Sequence, residues 1–198
     1  MLPNLKRNLP SESINEIAAG RACDLYLLID NTRHVMYNRG IRGDDIMEEI
    51  WVYEMTYDKK SVPLPEIVCI PVIEAQFAEY KAIYNECFYP MRHSLGIRPY
   101  MWFSEESVIE SSEDIFVYLR DGEIIGSVAC KGNEIDDLIV RTDEMNKGYG
   151  RKLLFWAMDH IRKQNDSPIC LHVAEWNKNA VHLYEKAGFV ISKREQVR

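Results

Sequence analysis

The sequence predicts an α/β fold of the α+β kind, with a mixed, mostly antiparallel sheet flanked by helices and a small, mostly helical N-terminal extension. Three observations predict it. Short β-branched segments joined by glycine turns fill residues 115–141, as in antiparallel hairpins. Two helical patterns then alternate with two further strand patterns after residue 146. A charged stretch with two prolines, residues 58–65, separates these elements from the N-terminal part.

The first 62 residues carry mixed signals, and we interpret them as an extension of unassigned role. Ser13 and Glu16 have the spacing of a capping box, and Asp44 could cap a second helix. Residues 51–57 fit either that helix or an alternating strand, and the pattern does not decide between them. A lid over a binding site, a surface for a homodimer and an arm that binds a partner all remain open as roles.

Residues 63–198 show a clearer order, which we interpret as one domain. A short β-branched strand is expected at residues 66–70. A helix is expected at residues 73–88, because aromatic side chains recur there every three to four positions. Pro90 is expected to end this helix, since proline removes a backbone donor from the helix interior.

Five strands and two further helices are expected after this point. An Asp-Gly pair at residues 121–122 is the strongest short hairpin signal, and Gly132 marks a second turn. The expected strands lie at residues 115–119, 124–130, 134–141, 169–174 and 190–191. The expected helices run from a glycine loop to about residue 164 and from residue 179 to residue 186.

Composition and charge exclude several classes of function. The 198 residues include 31 acidic and 24 basic side chains, and a formal net charge of −7 disfavours broad binding to nucleic acids or membranes. The five cysteines form no CxxC pair, so neither a metal site nor a dithiol redox motif is expected. Their odd number and the lack of an apolar leader favour a cytoplasmic protein.

A glycine loop at residues 144–152 lies between a predicted strand and a predicted helix. Glycine lets the backbone approach a ligand closely, and a helix N-terminus offers unpaired N–H groups, so this loop suits a phosphate or pyrophosphate. Lys147, Arg151 and Lys152 add positive charge. The loop lacks the GxxxxGKS/T spacing of a P-loop, and Leu153 stands where a dinucleotide fingerprint has its third glycine.

A second motif follows at residues 177–189. Its letters, NKNAVHLYEKAGF, closely resemble the N-x-x-A-x-x-L-Y-x-x-x-G-F signature of the GNAT superfamily of acyl-CoA-dependent N-acyltransferases. Residues 145–150 are similar to the Q/R-x-x-G-x-G/A motif of that superfamily, with Met145 in place of its Gln or Arg. The resemblance covers residues 66–198, most strongly 115–189. It implies a GNAT-like sheet, acetyl-CoA as co-substrate and a primary amine as acceptor.

The resemblance also implies roles for individual residues. Glu134 falls in the register of the glutamate that is the general base in related histone-modifying acetyltransferases, and Asp136 on the same strand face is the alternative. Tyr184 matches the tyrosine that protonates the leaving thiolate. The cofactor-binding residues implied by the two motifs and the strand before them are Leu138, Ile139, Val140, Met145, Asn146, Lys147, Gly148, Tyr149, Gly150, Arg151, Lys152 and Asn177.

We expect the acceptor amine to bind against the aromatic-rich residues 77–103, which by the resemblance form one wall of the acceptor site. Aromatic faces can hold cations, so a small cationic amine is slightly favoured over a protein amino group. The residues expected to bind it are Tyr89, Arg92, His93 and Tyr100. None of the cysteines has a catalytic context, which favours direct attack in a ternary complex. The alternative function, prompted by Met145 and the extension, is an acyl-CoA-binding or regulatory module whose chemistry has lapsed.

Overall fold

The computed structural model describes residues 50–95, 100–101, 108–109 and 112–196. The sequence-based predictions for residues 1–49, and those for residues 102–107, lie outside the described residues. Within the described ranges the chain forms a seven-stranded sheet. Its strands are β1 (Trp51–Tyr57), β2 (Ile70–Pro71), β3 (Ile115–Arg120), β4 (Glu123–Lys131), β5 (Glu134–Val140), β6 (Ile169–Ala174) and β7 (Val190–Gln196).

Three α-helices flank this sheet in the part of the chain that the structure describes. They are α1 (Phe77–Leu95), α2 (Tyr149–Gln164) and α3 (Lys178–Ala187). The strand order is β2-β3-β4-β5-β6-β1-β7, and every neighbouring pair is antiparallel except β5 and β6, which run parallel. The predicted fold class, a mostly antiparallel mixed sheet flanked by helices, is confirmed. Among these helices, none combines the length and the apolar composition needed to cross a membrane.

β1 resolves the choice that the sequence left open for residues 51–57. The segment is a strand, and it lies between β6 and β7, pairing antiparallel with both. Its side chains alternate, so that Val52 is buried on one face of the sheet and Met55 on the other. This part of the segment interpreted as an extension is therefore an inner strand of the same sheet as residues 115–196.

Two local predictions were wrong. Residues 66–69 form no strand, and only Ile70–Pro71 pairs with β3. Helix α1 passes through Pro90 and ends at Leu95. Phe88 and Arg92, one turn apart on either side of the proline, are both buried. Burial on both sides offsets the single backbone hydrogen bond that proline removes.

The core has two parts, one on each face of the sheet. Helices α2 and α3 cover one face, where Leu154 and Met158 pack against strand residues such as Leu171. Helix α1 covers the other face, where Tyr80, Tyr84 and Phe88 pack against Val52 and Ile139. Side chains that alternate along β1, β5 and β6 therefore point either toward α2 and α3 or toward α1.

Candidate active site

The two parallel strands at the centre of the sheet separate soon after they meet. β5 and β6 pair at Glu134 with Cys170 and at Ile135 with Leu171, both at their N-terminal ends. A bulge follows directly, because two β5 residues, Asp137 and Leu138, lie opposite the single β4 residue Val128. Asp137 has φ of 41°, in the left-handed region that bends a strand away from its neighbours. The bulge therefore opens the sheet between β5 and β6.

A cavity of about 340 Å³ lies beside the end of β5. Its walls come from the end of β5, from the loop and first turn of α2, and from the first turns of α3. The lining residues are Leu138, Ile139, Val140, Glu144, Met145, Asn146, Gly148, Tyr149, Gly150, Arg151, Asn179, Ala180 and Leu183. Nine of the twelve residues predicted to bind the cofactor thus line one cavity, whereas Lys147, Lys152 and Asn177 lie beside it.

The start of α2 supplies the polar end of this cavity. Gly148 is the N-cap with φ of 86°, a conformation that glycine adopts without strain. The first backbone N–H groups of a helix have no partner within it, so the cavity meets unpaired donors and the positive end of the helix dipole. A Cβ added at Gly150 would lie 3.7 Å from Leu183 and 3.9 Å from Val140. The glycine therefore keeps the cavity wide between β5 and α3.

A buried carboxylate organises the charges around the loop. Glu144, whose side chain is 6% exposed, accepts from Arg120 Nη2 at 2.6 Å and pairs with Lys147 Nζ at 3.1 Å. The Arg120 hydrogen bond lowers the pKa of Glu144. Arg120 also donates to the hydroxyl of Tyr149 at 2.6 Å. Glu144 thus holds two cations at the mouth of the cavity, and no sequence signal identified it.

The start of α3 forms the opposite wall. Asn177 is fully buried and caps the helix, because its Oδ1 accepts from the Ala180 amide at 3.2 Å. Its Nδ2 has no hydrogen-bond partner among the described residues. A buried amide donor next to a cavity suits a polar ligand there, since an unpaired buried donor costs free energy. Ala180 and Leu183 were not predicted as site residues, although both lie in the second sequence motif, residues 177–189.

Tyr184 lies on α3 within the apolar core that α2 and α3 cover. Its side chain is buried, and its ring lies 5.9 Å from that of Phe189. Burial raises the pKa of the phenol, and the negative charge of Asp136 raises it further. Asp136 is itself buried, pairs with Lys131 Nζ at 3.0 Å, and has a pKa raised by burial. The hydroxyl of Tyr184 therefore stays protonated near neutral pH.

Glu134 lies at the first residue pair of β5 and β6. Its Oε1 lies 3.0 Å from Nδ1 of His172, with side chains 26% and 18% exposed. Glu134 and Asp136 lie close enough that the charge of Glu134 raises the pKa of Asp136. Electrostatic interactions thus connect Glu134 with Asp136, and Asp136 with Tyr184. His172 was missed, because a partner 38 positions away leaves no local pattern.

The predicted acceptor residues divide into two groups. Tyr89, His93 and Tyr100 form an aromatic cluster, with ring centroids 5.1 to 6.4 Å apart. Arg92 does not join them, because it lies one turn after Phe88 on the buried stripe of α1, where it is 4% exposed and donates to the Tyr84 hydroxyl at 3.3 Å. The helical period therefore separates Arg92 from its sequence neighbour His93.

Comparison with known proteins adds independent information. The chain is 26% identical over 99 residues to an uncharacterized N-acetyltransferase of Methanocaldococcus jannaschii, a match that covers 44% of each protein. It is 43% identical over 54 residues to spermidine N(1)-acetyltransferase of Vibrio cholerae, covering 27% of this chain and 31% of that protein. The chain thus spans less than half of the length of the curated relatives that it matches.

A solved structure supports the same fold. An acetyltransferase from the GNAT family of Colwellia psychrerythraea superposes with a TM-score of 0.58 at 14% identity, covering 74% of this chain and 54% of that one. The model of the Acetyltransferase (GNAT) family matches residues 77–189, which include α1, β3 to β6, α2 and α3. Because this match spans more than half of the chain, the protein belongs to the GNAT acetyltransferase family.

Proposed function

We propose that this protein transfers an acetyl group from acetyl-CoA to a primary amine by direct attack in a ternary complex. The observation that carries the proposal is the opening between β5 and β6. The cavity beside it is lined by the first turn of α2, which suits an anion, and by the end of β5, the strand that also carries Glu134 and Asp136. A thioester and an amine could therefore meet where proton-transferring groups already lie. We also propose that the catalytic domain includes β1 and that the protein works in the cytoplasm.

The cavity fits the chemistry of acetyl-CoA. Backbone N–H groups after Gly148 and the cations Arg120 and Lys147 suit the pyrophosphate, as helix N-termini bind phosphates. Leu138, Val140 and Leu183 give the inner part apolar walls for the pantetheine arm. Bound acetyl-CoA would supply the thioester whose carbonyl carbon an amine attacks. Asn177 Nδ2, which is buried beside this cavity, would donate a hydrogen bond to the bound molecule.

Two proton transfers are needed, and the site offers a group for each. An amine attacks only when neutral, so a base must remove a proton from the ammonium form. We assign the role of this base to Glu134, with Asp136 as the alternative, because both lie on β5 beside the strand opening. Tyr184 Oη donates the proton that the departing sulfur needs. Its raised pKa keeps the donor protonated, so a close contact with the developing thiolate must drive the transfer.

The acceptor is proposed to be a small cationic amine. Tyr89, His93 and Tyr100 form an aromatic cluster on and just beyond α1, and aromatic faces attract cations. The net charge of −7 points the same way. The partial relative named as a spermidine acetyltransferase supports a polyamine as the first compound to test.

The direct experiment combines the purified chain with acetyl-CoA and a panel of amines, and measures release of free CoA thiol. The panel should contain spermidine, a monoamine and a peptide with a free amino terminus. Acetylated product from at least one amine is expected, with higher kcat/KM for the polyamine than for the peptide. Stabilisation by CoA without transfer to any amine would instead support the alternative of a lapsed CoA-binding module. Met145, which packs against the apolar cluster under α1, is the observation that favours that alternative.

A further inference from the structure

The carboxylate of Glu134 contacts the imidazole of His172, and the strand pairing defines the position of His172 in the sheet. His172 follows Leu171, which is the last β6 residue paired with β5. It is therefore the first residue of β6 inside the opening. The Glu134–His172 contact at 3.0 Å spans the two strands at the apex of that opening.

His172 also points to the same side of the sheet as α1. It lies directly opposite Glu54 of β1, and Glu54 shares a strand face with Val52, which packs under α1. Leu171 and Val173 point to the other face, into the core covered by α2 and α3. The imidazole thus faces the side of the sheet on which the aromatic acceptor cluster of α1 lies, and it remains 18% exposed.

The hydrogen bond fixes the protons of the ring. A carboxylate only accepts hydrogen bonds, so Nδ1 must carry a hydrogen to donate to Glu134 Oε1. In the neutral ring Nε2 then carries a lone pair, and this nitrogen has no hydrogen-bond partner among the described residues. This arrangement matches the carboxylate–imidazole pair in which a carboxylate sets the tautomer and the imidazole moves the proton.

We propose that His172 Nε2 is the group that accepts a proton from the acceptor ammonium, and that Glu134 orients the ring and stabilises the imidazolium. This proposal rests on the proposed function and makes it more specific. It divides the role of general base, assigned above to Glu134, between Glu134 and His172. Imidazole is the better choice in principle, since it is the side chain whose charge ordinarily changes between pH 5 and 8, and bases work best near the operating pH.

The protons and bonds balance in this scheme. The acceptor nitrogen loses two protons as an ammonium becomes an amide. His172 Nε2 takes the first and passes it to solvent, and the freed lone pair forms the C–N bond as the C–S bond breaks. Tyr184 Oη gives a proton to the departing sulfur, and the second proton from the nitrogen restores the phenol through solvent. No oxidant or reductant is required.

Several charged groups face His172 from the strands around it. Glu134 approaches from β5, and Glu54 lies opposite on β1. From β7, Glu195 interacts electrostatically with the ring, and Lys193 lies opposite Glu54. On its own strand, Cys170 lies two residues away on the same face and interacts with Glu134 and Glu54. Three of these groups, Glu134, Glu54 and Glu195, are carboxylates, and Lys193 is a cation.

The pH dependence of kcat/KM for the amine, at saturating acetyl-CoA, tests this assignment in wild type and three variants. His172→Gln is expected to lower kcat about 100-fold at pH 7, to abolish the acidic limb of the profile, and to leave KM for acetyl-CoA unchanged. Glu134→Gln is expected to lower kcat less and to keep an acidic limb, because Nε2 of His172 remains the proton acceptor. His182→Gln, on the exposed face of α3, is the matched control and should behave as wild type.

Two outcomes would overturn the proposal. One is a His172→Gln enzyme within threefold of wild type with its acidic limb intact. The other is a limb that disappears in Glu134→Gln and only moves in His172→Gln, which would make Glu134 the base. Stabilisation by CoA checks that each variant is folded, and His172→Asn serves if the glutamine variant is not.

A measurement without turnover separates this proposal from the proposed function. Nitrogen-15 NMR of histidine-labelled protein should show His172 with a protonated Nδ1 and an unprotonated Nε2 at pH 8, assigned by its absence in His172→Gln. A protonated Nε2 would overturn the proposal even in an active enzyme. Absence of transfer from wild type to every amine would instead refute the proposed function.

Discussion

At the scale of single residues, Tyr184 is a buried side chain for which we propose the role of proton donor. Its hydroxyl lies in the apolar core, within electrostatic reach of Asp136, and both burial and that charge raise its pKa. In the proposed mechanism, a phenol in such a place is protonated when the thiolate forms. The same burial fixes the ring, because Phe189 packs against it.

Replacing Tyr184 by Phe tests its role as proton donor. We expect kcat to fall about 100-fold, within the range for loss of a general acid, while the ring contact with Phe189 and KM for acetyl-CoA are retained. Steady-state kinetics and thermal unfolding with and without CoA provide the measurement. Tyr118→Phe is the control, because the ring of Tyr118 packs against that of Tyr149 and against the core, and no proton transfer is assigned to its hydroxyl. Equal kcat in both variants would remove Tyr184 from the mechanism.

At the scale of an element, the bulge in β5 creates the cavity. Asp137 is held at φ of 41°, where aspartate is tolerated and a β-branched residue is strained. A regular β5 would keep pairing with β6 beyond Ile135 and Leu171 and would close the opening. The width of the cavity therefore depends on one backbone conformation.

Asp137→Val and Asp137→Asn separate this backbone effect from the loss of the carboxylate. Both variants lose the charge, but only valine is strained at positive φ. We expect Asp137→Val to be less stable than Asp137→Asn by about 1 to 3 kcal/mol and to bind CoA more weakly. Urea unfolding and calorimetric titration with CoA measure the two effects. Indistinguishable variants would show that the backbone at this position carries no strain.

At the scale of the whole molecule, Glu144 links parts of the chain that are distant in sequence. It joins Arg120 of β3 to Lys147 of the loop before α2, and it lies 3.8 Å from Arg141. Because the Arg120 hydrogen bond lowers the pKa of Glu144, the folded protein favours its ionised form. That stabilisation is complete above the ordinary pKa of glutamate and disappears as the pH falls through the lowered value.

The free energy of unfolding of wild type and Glu144→Gln should therefore differ in a pH-dependent way. Wild type is expected to be the more stable above about pH 4.3, with an advantage that shrinks at lower pH. Glu123→Gln is the control, because Glu123 pairs with Arg141 at the exposed surface, where ion pairs contribute little. Urea unfolding at pH 7, 5, 4 and 3 measures the difference. A constant difference across this range would contradict the assignment.

The sequence predicted those parts of the fold and site that depend on neighbouring residues. Gly148, Gly150 and Asn177 lie in contiguous motifs, and the structure places them at or beside one cavity. β1 could not be decided, because its partners lie more than 110 positions away and a seven-residue pattern fits two structures. His172 and Glu144 were missed for the same physical reason, since each acts through a partner that only the folded chain brings near.

The position of β1 also has a consequence for biosynthesis. Tyr57 pairs with Ile169, and Trp51 pairs with Gln196, so the partners are 112 and 145 positions apart. A ribosome makes β1 well before either of its neighbours, and both edges of the strand must wait for β6 and β7. During that interval a chain with an apolar strand awaiting its partners is open to pairing with another chain. The sheet can therefore be completed only after both β6 and β7 have been made.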